Sequence, residues 1–254
     1  MASKTDSEEK LRRTELELER VQNEFRDFIY SIAHELSGPL RQSSGFAEMI
    51  LRNNADNLDE KTKKHLNIIV SSALTGRESL EALRNYTATL QNQTDFEERV
   101  EIKDCVDTAL SQLKTENPDL KFQIEIKELP TLSCNRANIT QLFYQLIKNA
   151  TLFQIEGQKP VIKIKATQKG KGAASQFWEF HIEDNGIGII PHRLEDVFKP
   201  FKRCHTRTEY PGDGIGLTIA KSVVKSHFGD IWIDKDVSDG TRVGFTLRDV
   251  SAPI

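Results

Sequence analysis

Apolar positions in the first third of the chain recur with helical spacing. Leu11, Leu18, Phe25 and Ile32 lie seven apart, and Thr14, Val21 and Phe28 fill the intermediate positions. This is the a/d seam of a heptad repeat and predicts a parallel coiled coil feeding a helical bundle. No proline interrupts it before Pro39, and Leu36, Leu40, Ala47, Ile50 and Leu51 continue the helical pattern. Asn53-Asn54-Ala55-Asp56-Asn57 reads as the turn of a helical hairpin. Beyond it, Leu66, Ile69, Ala73, Gly76, Leu80, Leu83, Thr87 and Leu90 alternate spacings of three and four. Two antiparallel helices with seams this narrow do not bury them alone. The expected state is a homodimer whose two hairpins form a four-helix bundle.

Gln91-Asn92-Gln93-Thr94 is a polar break and the expected linker. After it the periodicity becomes mixed. Residues 102–114 read as a helix and 121–127 alternate as a strand. Asn135 to Phe153 is a helix with Ile139, Leu142, Phe143, Leu146, Ile147 and Ala150 on one stripe. Residues 161–167 and 177–183 read as strands joined by the turn Lys169-Gly170-Lys171-Gly172. Leu217 to Phe228 is helical, and 231–235 with 241–247 form a final hairpin around Ser238-Asp239-Gly240. Strands and helices without βα alternation predict an α+β sandwich.

Composition narrows the class. The 254 residues suffice for one large or two modest domains, with 37% apolar and 29% charged residues. A net charge of −3 gives no strong field for nucleic acid. No apolar run approaches the roughly 20 residues of a membrane span. The N-terminus is too charged for a secretory signal, so a cytoplasmic location is expected. Cys105, Cys134 and Cys204 are scattered without metal spacing, as expected of unpaired thiols in a reducing compartment.

The chemistry concentrates in two glycine motifs, Asp184-Asn185-Gly186-Ile187-Gly188 and Gly212-Asp213-Gly214-Ile215-Gly216-Leu217. The first ends an apolar strand. The second opens a helix, whose exposed N–H groups suit phosphate. A carboxylate at Asp184 accepts a hydrogen bond from an exocyclic amine, which favours adenine over guanine. Gln145 and Asn149, four apart, project from one helix face, where an amide oxygen can ligate Mg²⁺. Between the motifs, Phe198 and Phe201 flank Pro200, followed by Lys202, Arg203, His205 and Arg207. These aromatics suit the anchoring of a mobile segment, and the basic residues suit contact with phosphates.

The order of Asn149, Asp184-x-Gly186-x-Gly188, Phe198-x-x-Phe201 and Gly212-x-Gly214-x-Gly216-Leu217 resembles the N, G1, F and G2 boxes of sensor histidine kinases. Their ATP-binding fold, the Bergerat fold, is shared with gyrase and heat-shock-chaperone ATPases. Ser31-Ile32-Ala33-His34-Glu35-Leu36-Ser37-Gly38-Pro39-Leu40 resembles the H box, and the resemblance extends from about residue 25 to 248. The stretch from Cys204 to Gly212 looks most like phytochrome-type kinases. The resemblance implies that Asn149 binds Mg²⁺, that Asp184 holds the adenine amine, and that Gly186 and Gly188 admit the base. Gly214 and Gly216 would turn a helix N-terminus toward the phosphates of ATP. Residues 10–92 would form the dimerising phosphoacceptor domain and 96–248 the catalytic domain. The expected partners are a second copy of the chain, a response-regulator receiver domain and an upstream sensory domain that this chain does not contain.

On the heptad register with Ile32 at a, His34 falls at the solvent-facing c position. Its imidazole is a competent nucleophile, and Glu35 can hold the second ring N–H or act as base. Pro39 removes a helical hydrogen bond and predicts a kink one turn after His34. Two positions depart from the family pattern. Gln145 stands where Asn is usual, which favours as the alternative an ATP-binding pseudokinase scaffold. Gly38 stands where Thr or Asn of bifunctional kinases positions hydrolytic water, which predicts weak or absent phosphatase activity. A third reading is an ATPase without a histidine acceptor.

Overall fold

A computed structural model describes residues 2–91, 96–170, 176–204, 209–210, 212–235, 237 and 239–249. The chain divides into two compact units, Met1–Ala88 and Thr89–Ile254. Among the described residues, no helix is long and apolar enough to cross a membrane.

The first unit is a helical hairpin, α1 (Ala2–Asn53) and α2 (Glu60–Gln91). Asp59 starts α2 by accepting the Thr62 N–H at 2.9 Å and its hydroxyl at 2.8 Å. The antiparallel pairing is set by small residues. A Cβ on Gly76 would lie 3.0 Å from Leu40 Cδ1. Nearer the open end, the Arg84 guanidinium sits 5.0 Å from the Tyr30 ring centroid. Ile29, Ala33, Ser44 and Ala47 form the buried face of α1, and Ala73, Ala82 and Thr87 that of α2.

On α2 the buried positions Ala73 and Thr87 belong to the seam read in the sequence, but on α1 the buried face is not the heptad seam. Phe25 and Phe28 remain 51% and 60% exposed, Leu18 and Val21 are likewise exposed, and Ile32 is only half-buried beside fully buried Ala33. In the second seam Ile69 is also exposed. A straight helix drifts out of register with a seven-residue repeat, so the stripe that meets α2 diverges from the stripe read in the sequence. The helix is unbroken through Pro39, where the sequence predicts a kink. Leu11 and Leu90 as packing side chains, and linker residues 92–94, lie outside the described residues.

In the second unit, β1 (Glu97–Glu101) pairs antiparallel with β3 (Thr131–Cys134). A five-stranded sheet carries β2 (Gln123–Ile126), β4 (Val161–Lys169), β5 (Phe177–Asp184), β7 (Arg242–Arg248) and β6 (Ile231–Ile233), in that spatial order. Among the described residues, only the β2–β4 pairing is parallel. The small sheet escapes the sequence reading because Glu97-Glu98-Arg99 offers no apolar alternation, and Arg99 itself is left-handed at φ 59° beside an irregular register. The described part of the β4–β5 connection ends at Gly170, and Lys171, Gly172 and Ser238 lie outside the described residues.

Helix α3 (Ile102–Glu116) packs on α4 (Arg136–Leu152) and β1, while α4 and α5 (Gly216–Ser226) pack on the large sheet. Asn135 caps α4 by accepting the Asn138 N–H at 2.8 Å. All six stripe residues of α4 are buried. Phe143 meets the cross-strand pair Phe180 and Phe245, whose rings stack at 5.0 Å and 4°. On the opposite face, Trp232 lies so close over Gly244 that an added Cβ would come 2.4 Å from its ring. His227 closes α5. It is fully buried, accepts the Asn135 N–H at Nε2 (3.1 Å) and donates from Nδ1 to the Val223 carbonyl (2.8 Å). Burial pushes its pKa down and keeps it neutral.

Phe143→Ala empties the contact between α4 and the sheet. A loss of about 3–5 kcal/mol is expected, read as a lower urea midpoint of the second unit.

Candidate functional site

A cleft opens between α4 and the end of the sheet. Its helical wall is one stripe of α4, with Gln145, Lys148, Asn149 and Leu152 at helical spacings of three, one and three. The sheet supplies Ile182 and Val243 as an apolar floor, with Asp184 and Thr241 at its edge. Gly188 and Ile189 follow β5, and the remaining wall is formed by Val197, Lys202–Cys204, Gly212–Gly214, Gly216 and Leu217.

Asp184 ends β5 and is held from two sides. One carboxylate oxygen accepts the Gly186 N–H at 2.8 Å and the Thr241 N–H at 3.2 Å. Burial pushes its pKa up to about 6, against the lowering effect of those two N–H groups. Gly186 is required by contact: its Cβ would lie 2.0 Å from the Phe153 carbonyl oxygen. That carbonyl, at the end of α4, accepts the Ile187 N–H at 3.0 Å. The Asn185 amide faces elsewhere, accepting the Val161 N–H at 2.8 Å and donating to the Lys159 carbonyl at 3.1 Å. The first glycine motif is thereby tied to α4, β4 and β7.

At the other end of the cleft, Ile215 at the start of α5 makes no side-chain cap hydrogen bond. The amides of α4 converge on this turn. A Cβ on Gly216 would lie 2.8 Å from Gln145 Oε1 and 3.6 Å from both Asn149 amide atoms. Gly214 adopts φ +72°, and the Phe201 N–H donates to its carbonyl at 3.0 Å. A convergence of amide oxygens with the first turn of a helix suits Mg²⁺, which takes few protein oxygens and completes its shell with phosphates and water. Among the described residues, no group of three or more His, Cys, Asp or Glu side chains is arranged to hold a metal.

Of the residues expected from the sequence, the cleft brings together Gln145, Asn149, Asp184, Gly188, Lys202, Arg203, Gly212, Gly214, Gly216 and Leu217. Gly186 stands behind it as a backbone support. Phe198 points into a separate groove with Trp232, while its carbonyl accepts the Thr218 hydroxyl at 3.2 Å. Phe201 is left-handed at φ 59° and 49% exposed. Neither phenylalanine lines the cleft, because the buried residue of that segment is Val197. The Arg203 guanidinium donates to the carbonyls of Tyr210 and Gly212. His205 and Arg207 lie outside the described residues.

The cleft also takes in Lys148, Leu152, Cys204, Asp213 and Thr241, which the sequence reading did not select. The spacing on α4 carries a signal for the first two. Thr241 becomes visible only once β7 is placed beside β5. In the helical unit, the His34 side chain is 79% exposed, and its Nδ1 lies 3.9 Å from Glu35 Oε1, beyond hydrogen-bond range.

Residues 134–251 match the family model described as histidine kinase-, DNA gyrase B- and HSP90-like ATPase. The phytochrome-like protein Cph1 of Synechocystis sp. is 30% identical over 232 residues, covering 91% of this chain and 30% of that protein. The sensor histidine kinase WalK of Bacillus subtilis is 27% identical over 246 residues, covering 91% of this chain and 38% of that protein. The chain therefore spans roughly a third of these relatives' length. Among solved structures, the Acinetobacter baumannii histidine kinase AdeS gives a TM-score of 0.52 at 22% identity, covering 84% of this chain and 98% of that one. This likeness concerns the fold. The second unit carries the Bergerat-type fold of this ATPase family, and over most of its length the chain is similar to sensor histidine kinases.

Asp184 gives the cleft a measurable pH dependence. The folded chain keeps a proton on Asp184 between its ordinary pKa and about 6, while the unfolded chain releases it. Stability without nucleotide therefore falls as pH rises through that window. Binding of an exocyclic amine favours the carboxylate. Adenosine, which has no phosphate to titrate, is expected to bind several-fold more tightly at pH 7.5 than at pH 5. Calorimetric titration checks this, and Asp184→Asn flattens the profile.

Proposed function

We propose that this chain is the catalytic core of a sensor histidine kinase that transfers the γ-phosphoryl group of ATP to His34 and from there to a response-regulator aspartate. The observation that carries it is Asp184, a half-buried acceptor at one end of a cleft whose other end is the first turn of α5, where Ile215 makes no side-chain cap hydrogen bond. That pairing fits an adenine and a phosphate chain, and an exposed histidine is present in the same chain. The exposed apolar stripe of α1, including Leu18, Val21, Phe25 and Phe28, supports a homodimer built on the helical unit.

In this reading Asp184 accepts the adenine amine while Ile182 and Val243 exclude water from the ring. The N–H groups at the start of α5 face the phosphates. Asn149, with Gln145 beside it, would hold Mg²⁺, which offsets phosphate charge when bound. A neutral His34 nitrogen forms the new N–P bond as the bond from the γ-phosphorus to the β–γ bridging oxygen breaks, releasing ADP. Nδ1 is the ring nitrogen on the Glu35 side, so Nε2 is the nucleophile and the Nδ1 proton turns toward Glu35 after a side-chain rotation. Most of the catalysis is positioning and charge neutralisation, as expected for phosphoryl transfer.

A second reading, an ATP-binding pseudokinase scaffold, is favoured by one observation. Gln145 is one methylene longer than asparagine, and its oxygen reaches the first turn of α5, where the phosphates would lie.

Incubation with γ-labelled ATP separates the readings. The kinase gives an acid-labile, base-stable protein label that His34→Gln abolishes and Asp184→Asn reduces at least about a hundredfold. Tight ATP binding without label supports the scaffold, and free phosphate without label supports an ATPase.

A Cβ on Gly38 would meet nothing within 4 Å, so the position has room for a side chain and carries none. Loss of phosphate from a phosphorylated receiver domain is therefore expected to be no faster with this protein than without it. Rapid Mg²⁺-dependent loss contradicts that expectation.

A further inference from the structure

The phosphate end of the cleft poses an electrostatic problem. A nucleoside triphosphate brings several negative charges, and Asp213 in the second glycine motif adds another at the cleft wall. Among the described residues, three cations line the same cleft: Lys148, Lys202 and Arg203. Arg203 is directed to backbone, since its two terminal nitrogens donate to the carbonyls of Gly212 and Tyr210. Tyr210 in turn donates from its hydroxyl to the Gln154 carbonyl at 3.1 Å, and its ring packs on Phe153 at 5.4 Å. The guanidinium thus braces the approach to the second glycine motif against the end of α4.

Lys148 is placed differently. It stands on α4, three residues after Gln145 and immediately before Asn149, on a helix whose opposite face is packed on the sheet. Its ammonium lies 5.6 Å from the centroid of the Tyr144 ring. That ring is anchored, because the Tyr144 hydroxyl donates to Glu116 at 2.5 Å. Burial and Glu116 raise the Tyr144 pKa, and the Asp213 carboxylate adds to the same effect. Asp213 therefore acts on the side of α4 where Lys148 stands. An ammonium on the rigid wall and a carboxylate on the glycine loop share the end of the cleft where the α4 amides meet α5.

We propose that Lys148 is a cation that contacts the nucleotide's phosphate chain, offsetting Asp213, and that Arg203 is a positioning residue that braces the loop. This rests on the reading of the cleft as an ATP site. It adds a helix-borne charge that distinguishes nucleoside polyphosphates from the nucleoside.

The test is calorimetric titration of the full chain with adenosine, ADP and Mg²⁺-ATP, comparing the unsubstituted protein with Lys148→Ala, Lys148→Arg and Arg203→Ala. Lys148→Ala is expected to weaken ATP about tenfold, the worth of one charge-assisted contact, and to leave adenosine within about twofold. Lys148→Arg restores most of the ATP affinity. Arg203→Ala weakens adenosine and ATP by the same factor, as loss of a brace does. Unchanged ATP affinity in Lys148→Ala overturns the proposal, as does an equal loss for adenosine and ATP. An ATP-selective loss in Arg203→Ala overturns the role given to Arg203. If the unsubstituted protein binds neither adenosine nor ATP, the ATP-site reading itself fails. If it binds both and Lys148→Ala matches it, only the present inference fails.

Discussion

A single half-buried carboxylate organises the second unit. Asp184 accepts N–H groups from Gly186 and from Thr241, so it joins the end of one strand to the approach of its neighbour. Gly186 sits against the Phe153 carbonyl, which also receives the Ile187 N–H. The ends of α4, β5 and β7 therefore meet around one side chain. Burying a carboxylate away from water is costly, and the two N–H donors offset only part of that cost, as its raised pKa indicates. The remaining imbalance leaves the group ready for one more donor, which an adenine amine supplies in the proposed complex.

The opposite end of the cleft does not rest on one carboxylate. Besides Lys148 and Asp213, its elements are backbone geometry and amides: the first turn of α5, Gly214 at positive φ, and the Gln145 and Asn149 side chains brought to the same turn. This division matches the two halves of a nucleotide. In the proposed complex the base meets a fixed acceptor between apolar strands, while the phosphates meet the amides and N–H groups at the start of α5. The loop between them is stitched in place by the Phe201 N–H to Gly214 and by the Thr218 hydroxyl to Phe198.

Much of this was legible because the relevant signals are local. The α4 stripe and the strand carrying Asp184 follow from periodicity and short motifs. So does the exposure of His34, which needs only a helical register. Residues whose roles depend on distant partners were harder to read. Thr241 enters through strand pairing. Arg203 looked like a phosphate ligand by charge, yet its geometry is directed at two carbonyls. Phe198 looked like an anchor of the nucleotide segment by motif, yet it lies in a separate groove and Val197 lines the cleft instead. In the helical unit the heptad was real as a pattern, but it marks a face other than the one that closes the hairpin. Sequence periodicity identifies an apolar stripe without saying which surface covers it.

The placement of aromatic side chains has a practical consequence. The chain has two tryptophans, Trp178 in β5 and Trp232 in β6, the latter lying over Gly244. Both belong to the five-stranded sheet, and neither belongs to the helical hairpin. Indole fluorescence is therefore an optical label, native to the chain, for the ATPase domain alone. Far-ultraviolet circular dichroism is weighted instead toward the two long helices. The two signals together can resolve whether the units melt in one transition or in two, with no dye or tag attached.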